Sequence, residues 1–184
     1  MAATPTIQIP LGFTAPYFKL YEPASDSFKS LKDLQSDKAT VIMFICNHCP
    51  FVKHIMDELI QLANDYMPKG ISFIGINPND VDNSPEDRPE KMKKLVKKLK
   101  IPFPFLFDQN QRVAKDYNAA CTPDFNIFDA NMKCVYRGQL DDSRPGNEIP
   151  VSGKDIRATL DAILEDQEIC EDQKPSIGCS IKWR

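Results

Sequence analysis

A pair of cysteines marks the junction between a predicted buried strand and a predicted helix. Residues 40–45 form a continuous run of apolar or β-branched side chains, which is typical of a strand buried on both faces. Cys46 and Cys49 follow this run directly, with two residues between them. Downstream, apolar residues recur at three- and four-residue spacing, as on one face of an amphipathic helix: Val52, Ile55, Met56, Leu59, Ala63 and Tyr66. A Cys-x-x-Cys motif at such a junction is a strong indication of redox chemistry in an α/β fold.

The alternation of strand and helix patterns continues along the rest of the chain. Four further segments have the composition of strands: 71–76, 103–107, 125–128 and 134–140. Three segments have helical signals: 89–100, 108–118 with an Asp108–Gln111 capping box, and a last helix capped by Ser152 and Asp155. This order predicts an α/β fold with a central mixed β-sheet and helices on both faces. We expect one domain over 1–184, with an N-terminal extension at 1–35 that adds a hairpin and a C-terminal tail at 168–184 that docks on the body.

Composition and charge exclude several classes of protein. The net charge of -3, from 23 basic and 26 acidic residues, provides no reason to expect the basic face of a nucleic-acid-binding protein. No apolar run approaches the ~20 residues of a membrane span, and the first residues lack the pattern of a signal peptide. We therefore expect a cytoplasmic protein with no membrane or nucleic-acid partner. In that reducing compartment, closely spaced cysteines are more often catalytic or metal-binding than structural.

The place of the motif in the chain predicts how its thiols ionise. Free N–H groups and the positive end of the helix dipole stabilise an anion at the start of a helix. We therefore expect a thiolate at Cys46 to form below the ~8.5 pKa of a free cysteine, with Cys49 within reach across the first helical turn. His48, between the two cysteines, either adds positive charge beside the thiolate or is a solvated loop residue.

Four segments carry a resemblance to a known family: Phe44-Ile-Cys-Asn-His-Cys-Pro-Phe51, Phe105-Leu-Phe-Asp-Gln109, Cys121-Thr-Pro-Asp-Phe125 and Gly178-Cys-Ser-Ile-Lys-Trp183. Together they are similar to the peroxiredoxin-like, AhpC/TSA-related branch of the thioredoxin superfamily. The resemblance implies a thioredoxin fold in which Cys46 is the exposed nucleophile and Cys49 its resolving partner. It also implies that Thr122 and Pro123 form a cis-proline dipeptide facing the thiols, a turn that offers backbone groups to a substrate's extended chain.

The resemblance also sets the expected function, with departures at two positions. A peroxiredoxin's peroxidatic cysteine, which precedes a proline, corresponds to Cys49; the family's threonine three residues earlier is then replaced by Cys46, and its arginine falls near Pro123. Both groups that orient a peroxide are therefore missing. We expect a thiol–disulfide oxidoreductase that acts on a disulfide-containing protein and uses a thiol electron donor, with no cofactor and no bound metal.

Two alternatives remain open at the level of the sequence. One is a peroxiredoxin-like thiol peroxidase with an antioxidant role and a peroxide substrate. The other is a non-enzymatic domain that binds a metal, since the chain offers ligands of the types that zinc uses: Cys46, His48, Cys49 and Cys179. The oligomeric state is not determined by the sequence.

The remaining cysteines and the proton acceptor are less defined. Cys121, next to the cis-proline dipeptide, is either an additional redox residue or a buried inert thiol. Cys179, in the tail, either resolves a mixed disulfide or packs against the body. The run at 40–45 contains no acidic residue, so His48, water or a group that the sequence does not identify must accept protons.

Overall fold

The computed structural model describes residues 3–184. The strands in this range are β1 (Ala3–Pro5), β2 (Lys19–Glu22), β3 (Ser27–Ser30), β4 (Ala39–Phe44), β5 (Ile71–Asn77), β6 (Phe105–Phe107), β7 (Cys121–Thr122), β8 (Asp124–Asp129), β9 (Cys134–Gly138) and β10 (Ile177–Ser180). The helices are α1 (Leu31–Leu34), α2 (Pro50–Tyr66), α3 (Pro89–Leu99), α4 (Arg112–Asp116) and α5 (Lys154–Leu164). Two short 3-10 segments cover Met67–Lys69 and Pro85–Asp87.

The main sheet is mixed, and its strands lie in the order β3-β2-β6-β5-β4-β8-β9. Strand β4 is parallel to β5, and β5 is parallel to β6, while the other neighbours run antiparallel. Strands β2 and β3 are the hairpin expected within the N-terminal extension. The predicted α/β class, with a central mixed sheet flanked by helices, is confirmed.

Strand β4 lies inside the main sheet between β5 and β8, and all six of its residues are buried. Alternate side chains point to opposite faces of a strand. Val41 and Met43 pack in the apolar cluster that contains the buried face of α2, whereas Ile42 and Phe44 pack on the other side with Tyr117. Burial on both faces accounts for the continuous apolar run of β4. The strand ends at Phe44, shortly before α2 begins at Pro50.

The C-terminal tail forms part of a second, small sheet with the order β1-β10-β7. Strand β10 runs antiparallel to both neighbours, with Cys179 opposite Thr122. Gly178 makes this pairing possible, since a β-carbon there would lie 2.1 Å from the carbonyl oxygen of Thr122. Beyond β10, the side-chain amide of Gln111 donates to the carbonyl of Lys182 at 2.7 Å. The tail is therefore held along its length on the body of the protein.

The observed caps of two helices differ from the predicted ones. Gln111 does not complete a capping box with Asp108; it is itself the residue before α4, and the Asp108 carboxylate accepts the N–H of Ala114 at 2.9 Å. Ser152 does not cap α5, which begins after Gly153. The carboxylate of Asp141 instead accepts the N–H groups of Ser152 and Gly153. At α4 the predicted residue Asp108 therefore still satisfies an N–H group of the first turn, although without a capping box, whereas at α5 a carboxylate more than ten residues away does so.

Two strands are also shorter than the sequence predicted. The strand expected at 103–107 begins only at Phe105, since Pro102 and Pro104 have no N–H to donate to a ladder. The strand expected at 134–140 ends at Gly138. Among residues 3–184, no helix combines the length and the apolar character needed to cross a membrane.

Candidate thiol redox site

The two cysteines of the motif lie at the start of α2. Strand β4 ends at Phe44, and the chain then turns so that Cys49 becomes the N-cap of the helix. Pro50 occupies the first helical position, where a missing N–H costs nothing. The carbonyl of Cys49 accepts the N–H of Lys53 and so starts the helical hydrogen-bond ladder. The strand-to-helix junction expected from the sequence is therefore present.

Three sulfur atoms and the cis-proline turn meet at this junction. The Thr122–Pro123 bond is cis, as the family resemblance implied. Cys46 Sγ lies 3.3 Å from the hydroxyl of Thr122, and Cys49 Sγ lies 3.2 Å from the carbonyl oxygen of the same residue. Cys49 Sγ also lies 2.7 Å from Cys179 Sγ. The structure thus brings together five sequence-predicted residues: Cys46, Cys49, Thr122, Pro123 and Cys179.

The expectation of an exposed nucleophile is wrong. Cys46 is 1% exposed and Cys49 is 0% exposed, because β7 and β10 cover the thiols. A groove of about 180 Å³ between α2 and α3 nevertheless reaches Cys46. Its other lining residues are Asn47, Val52, Lys53, Met56, Asp57, Leu95 and Leu99. A small group or a single side chain can therefore approach Cys46, whereas Cys49 does not line this groove.

The ionisation of the pair is the reverse of the prediction. The hydrogen bond from Cys46, together with those from Cys179 and from the backbone N–H of Val52, lowers the pKa of Cys49 to about 5, against the opposing effect of burial. The hydrogen bond to Cys49, burial and the negative charge of Asp87 all raise the pKa of Cys46. The position of Cys49 at the N-cap of α2 adds the N–H of Val52 to these hydrogen bonds, whereas Cys46 precedes the helix.

A buried carboxylate that the sequence did not identify lies beside the motif. Asp87, fully buried, accepts the N–H of Asn47 at 2.7 Å and the side-chain amide of Asn79 at 2.9 Å. Its other partner is Nδ1 of His48, at 2.5 Å. This hydrogen bond raises the pKa of His48, whose side chain is 23% exposed. Burial alone would raise the pKa of Asp87, but the hydrogen bonds from His48 and Asn79 outweigh it and lower that pKa. Asp87 lies in a loop rich in Asn, Asp and Pro, where no spacing distinguishes it from its neighbours.

The same groups include potential metal ligands. One ligand atom each from Cys46, His48 and Asp87 lies within 4.8 Å of the others. This set differs from the predicted one, because Asp87 joins it while Cys49 and Cys179 contact each other instead. A metal bound here would have to replace the hydrogen bond between His48 and Asp87.

The C-terminal tail occupies the backbone hydrogen-bonding groups next to the cis-proline turn. Strand β10 pairs with β7, so that Cys179 lies opposite Thr122. The hydroxyl of Ser176 donates to the carbonyl oxygen of Pro123 at 2.7 Å. A segment of the same chain therefore occupies the edge that the resemblance assigned to an extended substrate.

The remaining cysteines do not join this contact. Cys121 Sγ lies 3.6 Å from the hydroxyl of Thr6 and 3.5 Å from the carbonyl oxygen of Pro123. Burial raises the pKa of Cys121 to about 12, so its thiol stays protonated at neutral pH. Cys134 is buried in the core and Cys170 is exposed. These features favour the buried inert thiol over the redox relay for Cys121.

Comparison with known proteins identifies the family. A sequence profile described as "AhpC/TSA family" matches residues 11–137, more than half of the chain. The protein belongs to the AhpC/TSA family. Among curated proteins, none matches the sequence significantly.

Similar solved structures cover the whole chain of this AhpC/TSA protein. An uncharacterized conserved protein from Geobacillus kaustophilus is 61% identical, with a TM-score of 0.98, over 100% of this chain and 97% of that chain. A hypothetical protein from Sinorhizobium meliloti 1021 is 42% identical, with a TM-score of 0.95, over 98% of both chains. A peroxidoxin, BcpB, from Mycobacterium tuberculosis is 17% identical, with a TM-score of 0.63, over 88% of this chain and 99% of that chain. At that identity the last similarity supports the fold alone, and the thioredoxin-like fold is confirmed.

Membership of the AhpC/TSA family places this chain in a group that is generally oxidoreductase. The structure also shows what surrounds Cys46, where the sequence departs from the peroxiredoxin pattern. The resemblance aligns the position of a peroxiredoxin's threonine with the thiol of Cys46. The threonine hydroxyl near the thiols comes instead from Thr122, 3.3 Å from Cys46 Sγ.

We expect the Asp87→Asn substitution to lower the pKa of His48. An amide keeps an acceptor for the N–H of Asn47 but removes the charge that favours the imidazolium, so the pKa of His48 falls to its ordinary value of ~6.5 or below. A pH titration of the imidazole resonances by NMR measures this. Glu86→Gln, an exposed neighbour, is the matched control and leaves the His48 titration unchanged. An unchanged His48 pKa in Asp87→Asn would contradict the assigned pairing.

Proposed function

We propose that this AhpC/TSA family protein is a thiol–disulfide oxidoreductase that uses Cys46 and Cys49 as its redox pair. The observation that carries the proposal is that both sulfurs lie at the N-terminus of α2 against the same residue of the cis-proline turn, Cys46 Sγ 3.3 Å from the hydroxyl and Cys49 Sγ 3.2 Å from the carbonyl oxygen of Thr122. At this position the pKa of Cys49 falls to about 5. At neutral pH such a pair holds one thiolate and one proton. Reactivity in thiol exchange depends on that thiolate.

Access through the groove determines which sulfur contacts the substrate. Cys46 lines it, so Cys46 attacks one sulfur of the substrate disulfide while its own proton passes along the hydrogen bond to Cys49. The substrate S–S bond breaks, and the departing sulfur takes a proton from solvent or from the His48 imidazolium. A mixed disulfide between Cys46 and the substrate remains.

Cys49 completes the reaction. Its sulfur loses the proton again, helped by the backbone N–H groups of Val52 and Cys179, and attacks Cys46 Sγ. The bond between Cys46 and the substrate breaks, the departing substrate sulfur takes up the proton that Cys49 gave up, and a Cys46–Cys49 disulfide forms. Two electrons have then moved from the pair to the substrate, and an external dithiol donor must return them. The reverse sequence oxidises a dithiol substrate.

The groove also indicates which substrates fit. Its floor is apolar, formed by Val52, Met56, Leu95 and Leu99, and its rim carries Lys53 and Asp57. A volume of about 180 Å³ accommodates one apolar side chain or a small thiol compound, not a folded segment. We therefore propose substrates whose disulfide lies next to an apolar group on a flexible segment.

Catalysed reduction of insulin by dithiothreitol tests the proposal with the full chain. We expect the parent protein to accelerate insulin precipitation and Cys46→Ser to lose at least tenfold of that acceleration. Cys170→Ser is the matched control, because Cys170 is exposed and lies outside the site. Equal activity in Cys46→Ser and the parent would rule the mechanism out.

Peroxidase activity is the second candidate, and the lowered pKa of Cys49, directly before Pro50, favours it. A thiolate at a helix N-terminus can attack a peroxide to give a sulfenic acid, which a second thiol condenses to a disulfide. Stopped-flow oxidation by hydrogen peroxide separates the two functions. An oxidation rate no faster than that of free cysteine removes peroxidase as the main role.

A further inference from the structure

A third cysteine from the other end of the chain contacts the redox pair. Cys179 Sγ lies 2.7 Å from Cys49 Sγ, which is only about 0.65 Å longer than a disulfide bond of ~2.05 Å. Cys179 is 3% exposed and packs in the same apolar cluster as Cys46 and Cys49. External thiols therefore do not reach Cys179, and Cys49 is a sulfur within bonding reach of it.

The tail is built to hold this sulfur in place. Gly178 allows β10 to lie directly against the backbone of Thr122, closer than any side chain would permit. On one side Ser176 is anchored to Pro123, and on the other the N–H of Lys182 donates to the side chain of Asn79 at 2.9 Å. These contacts on both sides fix the position of Cys179, so its proximity to Cys49 does not depend on a loosely packed terminus.

We propose that Cys179 is a third redox residue, which takes over the disulfide from Cys46 by exchange at Cys49. This inference rests on the proposed function of the Cys46–Cys49 pair. In the oxidised protein, Cys179 attacks Cys49 Sγ, the Cys46–Cys49 bond breaks, and a Cys49–Cys179 bond forms. Cys46 leaves as a thiolate and gains the proton that Cys179 gives up. No electrons are gained or lost in the exchange, so it requires no further oxidant.

The exchange gives the oxidised protein a property that a simple pair lacks. With the disulfide at Cys49–Cys179, Cys46 is a free thiol at the groove while the protein still stores two oxidising equivalents. The tail strand is then covalently attached to the start of α2. If half of the oxidised molecules carry this second disulfide, the oxidised state is favoured twofold over that of a protein limited to the Cys46–Cys49 bond.

The test maps disulfides in acid-quenched protein equilibrated with oxidised and reduced dithiothreitol. In the Cys46→Ser variant we expect a Cys49–Cys179 cross-link by peptide mass spectrometry. In the parent we expect both cross-links, and in Cys179→Ser only Cys46–Cys49. Oxidised parent should also accept one maleimide at Cys46, which oxidised Cys179→Ser should not. Cys121→Ser is the matched control, since Cys121 is buried near the same turn, and it should retain both cross-links.

The outcomes separate the two proposals. The role of Cys179 is overturned if the parent forms the Cys46–Cys49 cross-link but neither the parent nor Cys46→Ser forms a Cys49–Cys179 cross-link. This result counts only if Cys46→Ser has the circular dichroism spectrum of the native protein, and it leaves the proposed function intact. If Cys46→Ser does not fold, the maleimide reaction of the oxidised parent decides the same question. Absence of any cross-link involving Cys49, together with no insulin reduction, overturns the proposed function and the exchange with it.

Discussion

The Gly178→Ala variant is expected to lose about 3 kcal/mol of unfolding free energy, the upper end of the usual cost of overpacking. A β-carbon at this position would lie 2.1 Å from the carbonyl oxygen of Thr122 and 2.9 Å from the nitrogen of Pro123. Both are backbone atoms, so no side-chain rotation relieves the contact, and β10 must move away from β7. Urea unfolding followed by circular dichroism measures the loss.

Gly146→Ala is the matched control for this substitution. A β-carbon at Gly146 meets nothing within 4 Å, but its φ of +85° is unfavourable for alanine and costs about 1 kcal/mol. Gly178→Ala should also speed alkylation of Cys179, which is nearly inaccessible in the parent. A Gly178→Ala chain as stable as Gly146→Ala, with Cys179 still protected, would contradict the close pairing of β10 with β7.

The Arg137→Met variant is expected to lose about 3–5 kcal/mol of unfolding free energy, as when one partner of a buried ion pair is removed. The guanidinium is fully buried and lies 3.7 Å from the carboxylate of Asp124. It also donates to the carbonyl oxygens of Ile7 and Asn118 and to the side chain of Asn126. Methionine fills similar space but leaves these acceptors without a donor and a carboxylate without its counter-charge. Urea unfolding at pH 7 measures the effect.

The pH dependence of this loss has a defined sign. Burial raises the pKa of Asp124 to about 6, against the opposing influence of Arg137. As pH rises, the carboxyl of Asp124 therefore loses its proton in the unfolded chain, at a pKa of ~4, before it does so in the folded protein, at a pKa of about 6. The contribution of Asp124 to the free energy of unfolding falls over this pH range. We expect the Arg137→Met loss to be larger at pH 8 than at pH 5. Asp124→Asn added to Arg137→Met should recover part of it.

Arg112→Met is the control for the arginine substitution. Arg112 pairs with Asp116 on the surface, where its side chain is 80% exposed. Its removal should change stability by no more than about 0.5 kcal/mol. Equal effects at positions 137 and 112, or no recovery in the double variant, would show that the buried pair does not stabilise the fold.

The tail illustrates the limit of local patterns. The apolar residues at the C-terminus indicate docking, but no local spacing relates Cys179 to Cys49, because their contact spans 130 residues of sequence. The ionisation of the pair shows the same limit. The sequence places both thiols near a helix N-terminus, yet only the folded chain shows which sulfur lies at the N-cap and which faces Asp87.

The sequence by itself determined the order of strands and helices from β4 to α5, apart from the two-residue β7, and the location of the Cys46–Cys49 motif after β4. These follow from apolar periodicity and from the residues of one short segment, which are local properties. Only the tertiary structure decided that the pKa of Cys49 is lowered while that of Cys46 is raised, that Asp87 pairs with His48, and that Cys179 contacts Cys49. Each of these depends on distances between distant parts of the chain, and burial strengthens charge interactions that the same residues would scarcely feel in water.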